Sequence, residues 1–306
     1  MFDHSSRSSS PLGPFTKLAD LVHPWAHNPQ TIVSPDATSK HGYTYVVYAL
    51  GDGVPRSGPP KNCTKNATSA ATLSASALAA QKGLRLVTPP TAHTRRRLGS
   101  SEEEGDTHHE VTTKTKTITA NFTLHWAEEA AGPYHAVNAS ILNWPTNWDY
   151  GANGNWNPSP FQHPNGSVYL MAHTSWRAFC GETIIRADHW RGPYTIVSSD
   201  QYANWHGSAC GVEDPFLWMD KRGHWHALYH AMGHLGPGGH AFSVDGYTWS
   251  NVTNAYGAKR PLVGGGSVNY NAERPKLLFG PNYYPTHLYT GSDKGSGFTI
   301  ASPLTS

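Results

Sequence analysis

Four short segments of this chain look alike, and their spacing restricts the fold more than any other feature. They are HNPQTIV (His27 to Val33), WNPSPFQ (Trp156 to Gln162), EDPFLWM (Glu213 to Met219) and ERPKLLF (Glu273 to Phe279). Each has proline in third place, a polar or charged residue before it and an apolar run after it. Pro158, Pro215 and Pro275 follow one another at nearly equal intervals. A long, regular repeat of this kind is one supersecondary unit, as in solenoids and propellers. Repeated strands that converge on an axis place their first residues around one pocket. Here those residues include Glu213, Asp214 and Glu273.

A second marker runs out of phase with the first. It reads Gly-Pro-aromatic at Gly13-Pro14-Phe15, Gly132-Pro133-Tyr134 and Gly192-Pro193-Tyr194, with Asp245-Gly246-Tyr247 as a looser copy. Gly-Pro sets a turn between strands. Between the markers lie β-rich runs such as Ser167–Thr174, Glu182–Asp188, Trp225–Met232 and His240–Val244. Short strands separated by turn signals read as antiparallel all-β structure, and about four strands per repeat make a propeller blade.

The interval from Pro29 to Pro158 is roughly double the others, an excess of one blade length. Residues from about Pro55 to Lys116 account for it. They contain TSAATLSASALAA, an Arg95–Arg97 run and a Glu102–Glu104 run, with almost no aromatics. Such a segment buries too little apolar surface to order itself. The expectation is one propeller domain over residues 1–306, with a disordered insertion at about 55–116.

A net charge of +2 with 14% charged residues leaves no nucleic-acid footprint. The longest apolar run, around Tyr43–Leu50, is far short of a membrane span. MFDHSSRSSS lacks the apolar stretch of a signal peptide. Yet six Asn-x-Ser/Thr sequons, at Asn62, Asn66, Asn121, Asn138, Asn165 and Asn251, point to an extracellular or secretory-pathway protein. Only the short stretch from Met1 to Ala26 precedes the first repeated segment, and it carries an outer-strand marker. The expectation is that the chain begins partway through its first blade. Of three cysteines, Cys180 is placed in the loop after a second strand and Cys210 in the loop entering the next blade. Both loops are on one face, so a Cys180–Cys210 disulfide and two buried thiols are both open.

The segments HNPQ, WNPSPFQHPNGSVYLMAHT, GVEDPFLWMDKRGHWHALYH and ERPKLLF resemble the inner-strand motifs of five-bladed β-propeller glycoside hydrolases. The closest match is family 43 and its relatives, families 32, 62, 68 and 117. The Gly-Pro-aromatic marker resembles the outer-strand motif of the same propellers. The resemblance implies an all-β, five-bladed β-propeller, here four full blades and a partial N-terminal one. It also implies three pocket carboxylates acting as general base, pKa-modulating Asp and general acid. The acid is often a Glu two residues before a proline, a pattern that Glu213 and Glu273 fit. Two departures stand out. The base normally comes from the first blade, whose inner strands are missing, and Asn157 replaces the Asp of the third blade.

The residues themselves agree in part. Glycoside hydrolysis needs one carboxyl group to protonate the leaving oxygen and another to activate water or attack the sugar. Glu213 and Glu273 share a register position in adjacent blades and are expected across one face. Successive strand residues face opposite sides, so Glu213 and Asp214 are not expected to enter the pocket together. The alternative for Glu273 is an ion pair with Arg274. Second strands return to the pocket face and end at Asp52, His173, His230 and Thr290. These residues and Asn28, Asn157 and Arg274 are candidates for contacting substrate or fixing the carboxylates. Trp148 and Trp156, in the loop between Asn143 and Trp156, are candidates for stacking on a sugar, with Trp144 at its start and Asp149 in reserve. No cofactor is called for and no metal ligand set is assigned. His224 and His226 share a strand face without nearby carboxylates, and a structural calcium on the axis is compatible with the pattern. The expected partner is a carbohydrate.

Two functions follow. The leading one is hydrolysis of glycosidic bonds in a polysaccharide or glycan by carboxylate acid/base catalysis. The other is a non-catalytic carbohydrate-binding propeller, a degenerate or truncated hydrolase. A protein-interaction propeller would not require carboxylates at the inner-strand positions.

Overall fold

The computed structural model describes residues 4–13, 15–20, 27–50, 114–145, 157–176, 179–198, 211–231, 236–262, 264–292 and 298–304. They form strands, turns and bends, with no helix among them. Among the described residues no helix is long and apolar enough to cross a membrane. The hairpin β1 (His4–Arg7) and β2 (Thr16–Asp20) comes first. The first blade is β3 (His27–Pro35), β4 (Tyr43–Leu50), β5 (Thr115–Ala127) and β6 (His135–Pro145). The second is β7 (Ser159–Gln162), β8 (Val168–Trp176), β9 (Phe179–Ala187) and β10 (Thr195–Ser198). The third is β11 (Val212–Met219), β12 (Trp225–Ala231), β13 (Gly238–Ser243) and β14 (Thr253–Tyr256). A small hairpin, β15 (Lys259–Pro261) and β16 (Ser267–Asn269), leads to β17 (Glu273–Phe279), β18 (Pro285–Ser292) and β19 (Phe298–Pro303). Each sheet is antiparallel and pairs its strands in chain order.

The first strands of successive blades are neighbours: β3 beside β7, β7 beside β11 and β11 beside β17. This is a β-propeller arrangement of four blades. Among the described residues three have four strands and the last, β17–β19, has three, where four were expected. The repeated proline segments begin these inner strands, and the interval between successive segments is the length of one blade.

Apolar side chains fill the seams between blades. Tyr48, Phe122, Leu124 and Ile141 of the first blade pack on Val168, Leu170, Ile185 and Tyr194 of the second. Met171 and Ile184 of the second pack with Leu217, Trp225 and Tyr229 of the third. Leu228 and Tyr256 of the third meet Tyr270, Ala272 and Leu288. Fully burying one such side chain contributes about 1.5–3 kcal/mol, so the seams hold the blades in place.

The Gly-Pro-aromatic marker has a physical reason at Gly192. Its φ is +80°, and a Cβ there would lie 2.9 Å from the Tyr194 ring. The turn thus admits only glycine and presses Tyr194 into the seam. Tyr194 N–H then donates to Ser140 O at 2.9 Å, and Leu142 N–H donates to Tyr194 O at 2.9 Å. The second blade's marker thereby clasps β6. Asp36 fastens the same seam nearer the inner strands, accepting from Trp190 Nε1 at 3.2 Å and Arg191 Nη1 at 2.8 Å. Burial opposes its charge, but these donors and Thr38 hold its carboxyl well below the usual range.

Several expectations change at this level. Cys180 is in β9 rather than in a loop. Trp144 lies in β6 and is buried, so it belongs to the core and not to a sugar platform. Strand β5 already begins at Thr115, inside the expected insertion. Residues 51–113, and with them Asp52, Cys63, Asn62 and Asn66, lie outside the described residues, as do Trp148, Asp149, Trp156 and Cys210.

Candidate active site

Each inner strand carries the same backbone irregularity where it enters the ring. Asn28, Asn157, Asp214 and Arg274 directly precede the repeated prolines, and their φ values are 49°, 34°, 54° and 54°. A following proline pushes a residue towards extended backbone, and a left-handed non-glycine residue costs about 1–3 kcal/mol. Such strain persists only where the surroundings impose it. The ladder slips at the same place in β3, β11 and β17, between His27 and Gln30, Glu213 and Phe216, and Glu273 and Lys276.

The side chains account for the strain. Asn28 Nδ2 donates to Asp214 Oδ1 at 2.9 Å, and Asn157 Nδ2 donates to the same oxygen at 2.6 Å. Three blades are therefore joined through one carboxylate oxygen. Two residues further along, Gln30 Nε2 donates to Pro215 O at 2.8 Å, Ser159 Oγ donates to Gln30 Oε1 at 3.0 Å, and Leu217 N–H donates to Ser159 Oγ at 2.8 Å. These bonds form a second layer of contacts between the same three blades.

The bulge overturns the expectation that Glu213 and Asp214 face opposite sides. Glu213, Asp214 and His230 each offer an oxygen or nitrogen, and these atoms all lie within 4.8 Å of one another. The left-handed turn at Asp214 breaks the alternation of a regular strand and brings adjacent side chains together. His230, on β12 and paired with Glu213 in register, contacts Glu213 Oε1 through Nδ1 at 3.1 Å. Two carboxylates and an imidazole at this separation could hold a divalent cation. Contrary to expectation, His226 has a carboxylate nearby, Asp220 at 3.5 Å, and it also contacts His240, but the three-residue cluster of ligand atoms is the one at Glu213, Asp214 and His230.

Glu273 enters the ring from β17. Asn271 Nδ2 donates to its Oε1 at 3.1 Å, and Arg274 Nη1 to its Oε2 at 3.1 Å, so the ion pair considered for this residue forms. The Glu273 side chain is 9% exposed and that of Glu213 is 26% exposed, so Glu213 is the more open carboxylate. Thr290 closes the end of β18 against the Tyr270 hydroxyl. His173 lies in β8, paired with Glu182 in register.

The charges interact. Burial, reinforced by the neighbouring Glu213, pushes Asp214 up to about 6, while Arg274, Lys276 and His230 act the other way. Burial disfavours a charged His230, but its bond to Glu213 and the charges of Asp214, Glu213 and Glu273 outweigh that and raise its pKa. Burial pushes the Lys276 ammonium down to about 8 against the attraction of Asp214. Lys276, Gln30, Ser159 and Asn271 were not singled out from sequence. A signal existed for three of them: Gln30, Ser159 and Lys276 directly follow Pro29, Pro158 and Pro275.

The chain is thus a β-propeller with a carboxylate–histidine cluster where its inner strands converge. No known family profile matches the chain, and no curated protein matches it. Solved structures do. An exo-β-1,3-galactanase from Phanerochaete chrysosporium, with β-1,3-galactotriose, aligns at a TM-score of 0.49 and 12% identity, covering 100% of this chain and 54% of that one. The endo-arabinase from Bacteroides thetaiotaomicron aligns at 0.41 and 12%, covering 60% of this chain and 66% of that one. A thermostable family-43 glycoside hydrolase aligns at 0.40 and 13%, covering 60% and 63%. The chain spans about half the length of the galactanase it matches.

Proposed function

We propose that the chain is a glycoside hydrolase-like propeller that cleaves glycosidic bonds in a polysaccharide or glycan, with Glu213 as the proton donor. The observation that carries this reading is the contrast between two adjacent carboxylates. Asp214 is 2% exposed and its Oδ1 already accepts two amide N–H groups, which fixes it in place away from a ligand. Glu213 is more open and meets His230 through one carboxylate oxygen. Two like charges this close resist ionising together, and burial beside Glu213 raises Asp214 to about 6, so the pair holds one proton below that pH. The more open Glu213 is the one that can deliver it to a leaving oxygen.

Glu273 is the second carboxylate of this reading. Arg274 and Asn271 hold it in place, oriented to activate water. Asp214 acts as a positioning residue, and Asn28 and Asn157 serve it rather than the sugar. Arg274 serves Glu273 in the same way. His230 orients Glu213.

In the same reading the β1–β2 hairpin is the outer half of a fifth blade. Gly13 has φ +87° with the Phe15 ring 3.0 Å from the place of a Cβ, as at Gly132 with Tyr134. Tyr289 Oη donates to Pro11 O at 2.7 Å, which seats this turn against β18.

A second reading is a carbohydrate-binding propeller without hydrolysis. Asn28 and Asn157 favour it, because they put amides at the position where the third blade has Asp214. Assaying the purified chain against aryl glycosides and a set of plant, algal and microbial glycans separates the two. Hydrolysis that Glu213→Gln removes supports the first; binding without hydrolysis supports the second.

A further inference from the structure

Two sets of asparagines in this fold contrast, with Asn121, Asn254, Asn269 and Asn282 outside the comparison. Asn28, Asn143, Asn157 and Asn271 each use the side-chain nitrogen as a structural donor, to Asp214, Ile196 O, Asp214 and Glu273. None of these four is followed by x-Ser or x-Thr without an intervening proline. Asn138, Asn165 and Asn251 begin the sequons Asn-Ala-Ser, Asn-Gly-Ser and Asn-Val-Thr, and all three are exposed. Among the described residues none of their side-chain nitrogens donates a hydrogen bond. At Asn165 the division falls within one side chain. Its Oδ1 accepts Ser167 N–H at 3.0 Å, which fixes the amide in the β7–β8 turn and leaves Nδ2 unengaged.

Their places in the fold agree. Asn138 is on β6, the outermost strand of the first blade, and Asn251 stands two residues before β14, the outermost strand of the third. Asn165 is in the turn after an inner strand, at the end of the blade opposite Glu213 and Glu273. A bulky, solvated group at any of the three would stay clear of the carboxylate cluster and of the seams between blades.

We propose that Asn138, Asn165 and Asn251 carry N-linked glycans, acquired during passage through the secretory pathway. The donor is a lipid-pyrophosphate-linked oligosaccharide. The bond between sugar C1 and the phosphate oxygen breaks, a bond from C1 to asparagine Nδ2 forms, and the amide proton leaves with the lipid pyrophosphate. The proposal is independent of the hydrolytic reading.

The test is to secrete the full chain from a eukaryotic host behind a cleavable leader. The folded product is then treated with N-glycosidase in heavy-oxygen water, and its peptides are mapped by mass. Labelled aspartate is expected at all three positions. Each of Asn138→Gln, Asn165→Asp and Asn251→Gln should remove one glycan without changing the unfolding midpoint by more than a few degrees. Asn165→Asp keeps the oxygen that Ser167 needs, so a folding defect there would not obscure the result. Secreted, folded protein with these three asparagines unmodified would overturn the proposal, as would glycans confined to other sequons.

Discussion

Asn157 Nδ2 lies 2.6 Å from Asp214 Oδ1, joining the second blade to the third at the point where both inner strands take a left-handed turn before proline. The bond goes with the strained backbone at both of its ends. Each turn aims a polar side chain inward, and the contacts made there offset the strain.

Removing that donor should be costly. Asn157→Ala leaves a buried carboxylate with one amide donor in place of two, a loss of about 1–3 kcal/mol. Asn28→Ala should lose a similar amount. Because both act on one oxygen, the double variant should depart from additivity by more than about 0.5 kcal/mol. Urea unfolding of the two single variants and the double variant checks this; strict additivity would mean that the amides do not share Asp214.

Stability should fall as the pH rises through the acid range. Asp214 titrates near 6 in the fold against 3.8 for the free side chain, so the folded chain holds a proton that the unfolded chain has released. This contribution is present below about pH 4 and is lost as the pH climbs to about 6, on the order of 3 kcal/mol in all. His230, also raised, adds stability that is present below its free value and lost as the pH passes its folded one. Asp214→Asn keeps an oxygen for the two amides but cannot titrate, so its unfolding free energy should depend less on pH between 4 and 6. A slope unchanged from wild type would contradict the assignment.

Gly192→Ala tests the marker turn. Alanine there meets both a left-handed φ and a ring at 2.9 Å, whereas at Gly166, with φ +95°, nothing lies within 4 Å of a Cβ. Both substitutions cost the roughly 1–3 kcal/mol of a left-handed residue. Only Gly192→Ala should cost more, and it should also loosen β6, which hydrogen exchange at Leu142 would register. Equal losses at the two glycines would mean that Tyr194 does not need the turn.

Much of this architecture is legible in the sequence because the repeat is written in residues with strong backbone consequences. Pro29, Pro158, Pro215 and Pro275 mark the inner strands, and Gly132 and Gly192 mark turns that only glycine can make. Glu213, His230 and Glu273 are candidates from register alone. What register misled about was Asp214. Alternation along a strand predicts that it faces away from Glu213. The left-handed turn that reverses this comes from tertiary contacts with Asn28 and Asn157, which belong to other blades. The same holds for Trp144, whose aromatic neighbours in sequence resemble a platform, while its place in β6 buries it. That the last blade has three strands among the described residues has no sequence signal, because the inner-strand period does not depend on the number of outer strands.

Whether Glu213 delivers a proton to a glycosidic oxygen is read most directly from hydrolysis by Glu213→Gln compared on good and poor leaving groups. The amide keeps the side chain's shape and its contact with His230 but has no proton to give. The rate on a poor leaving group should drop about 10²–10⁴-fold, with a much smaller drop on an activated aryl glycoside and with binding retained. Equal losses on both substrates, or a wild-type chain that binds glycans and hydrolyses none of them, would contradict the account.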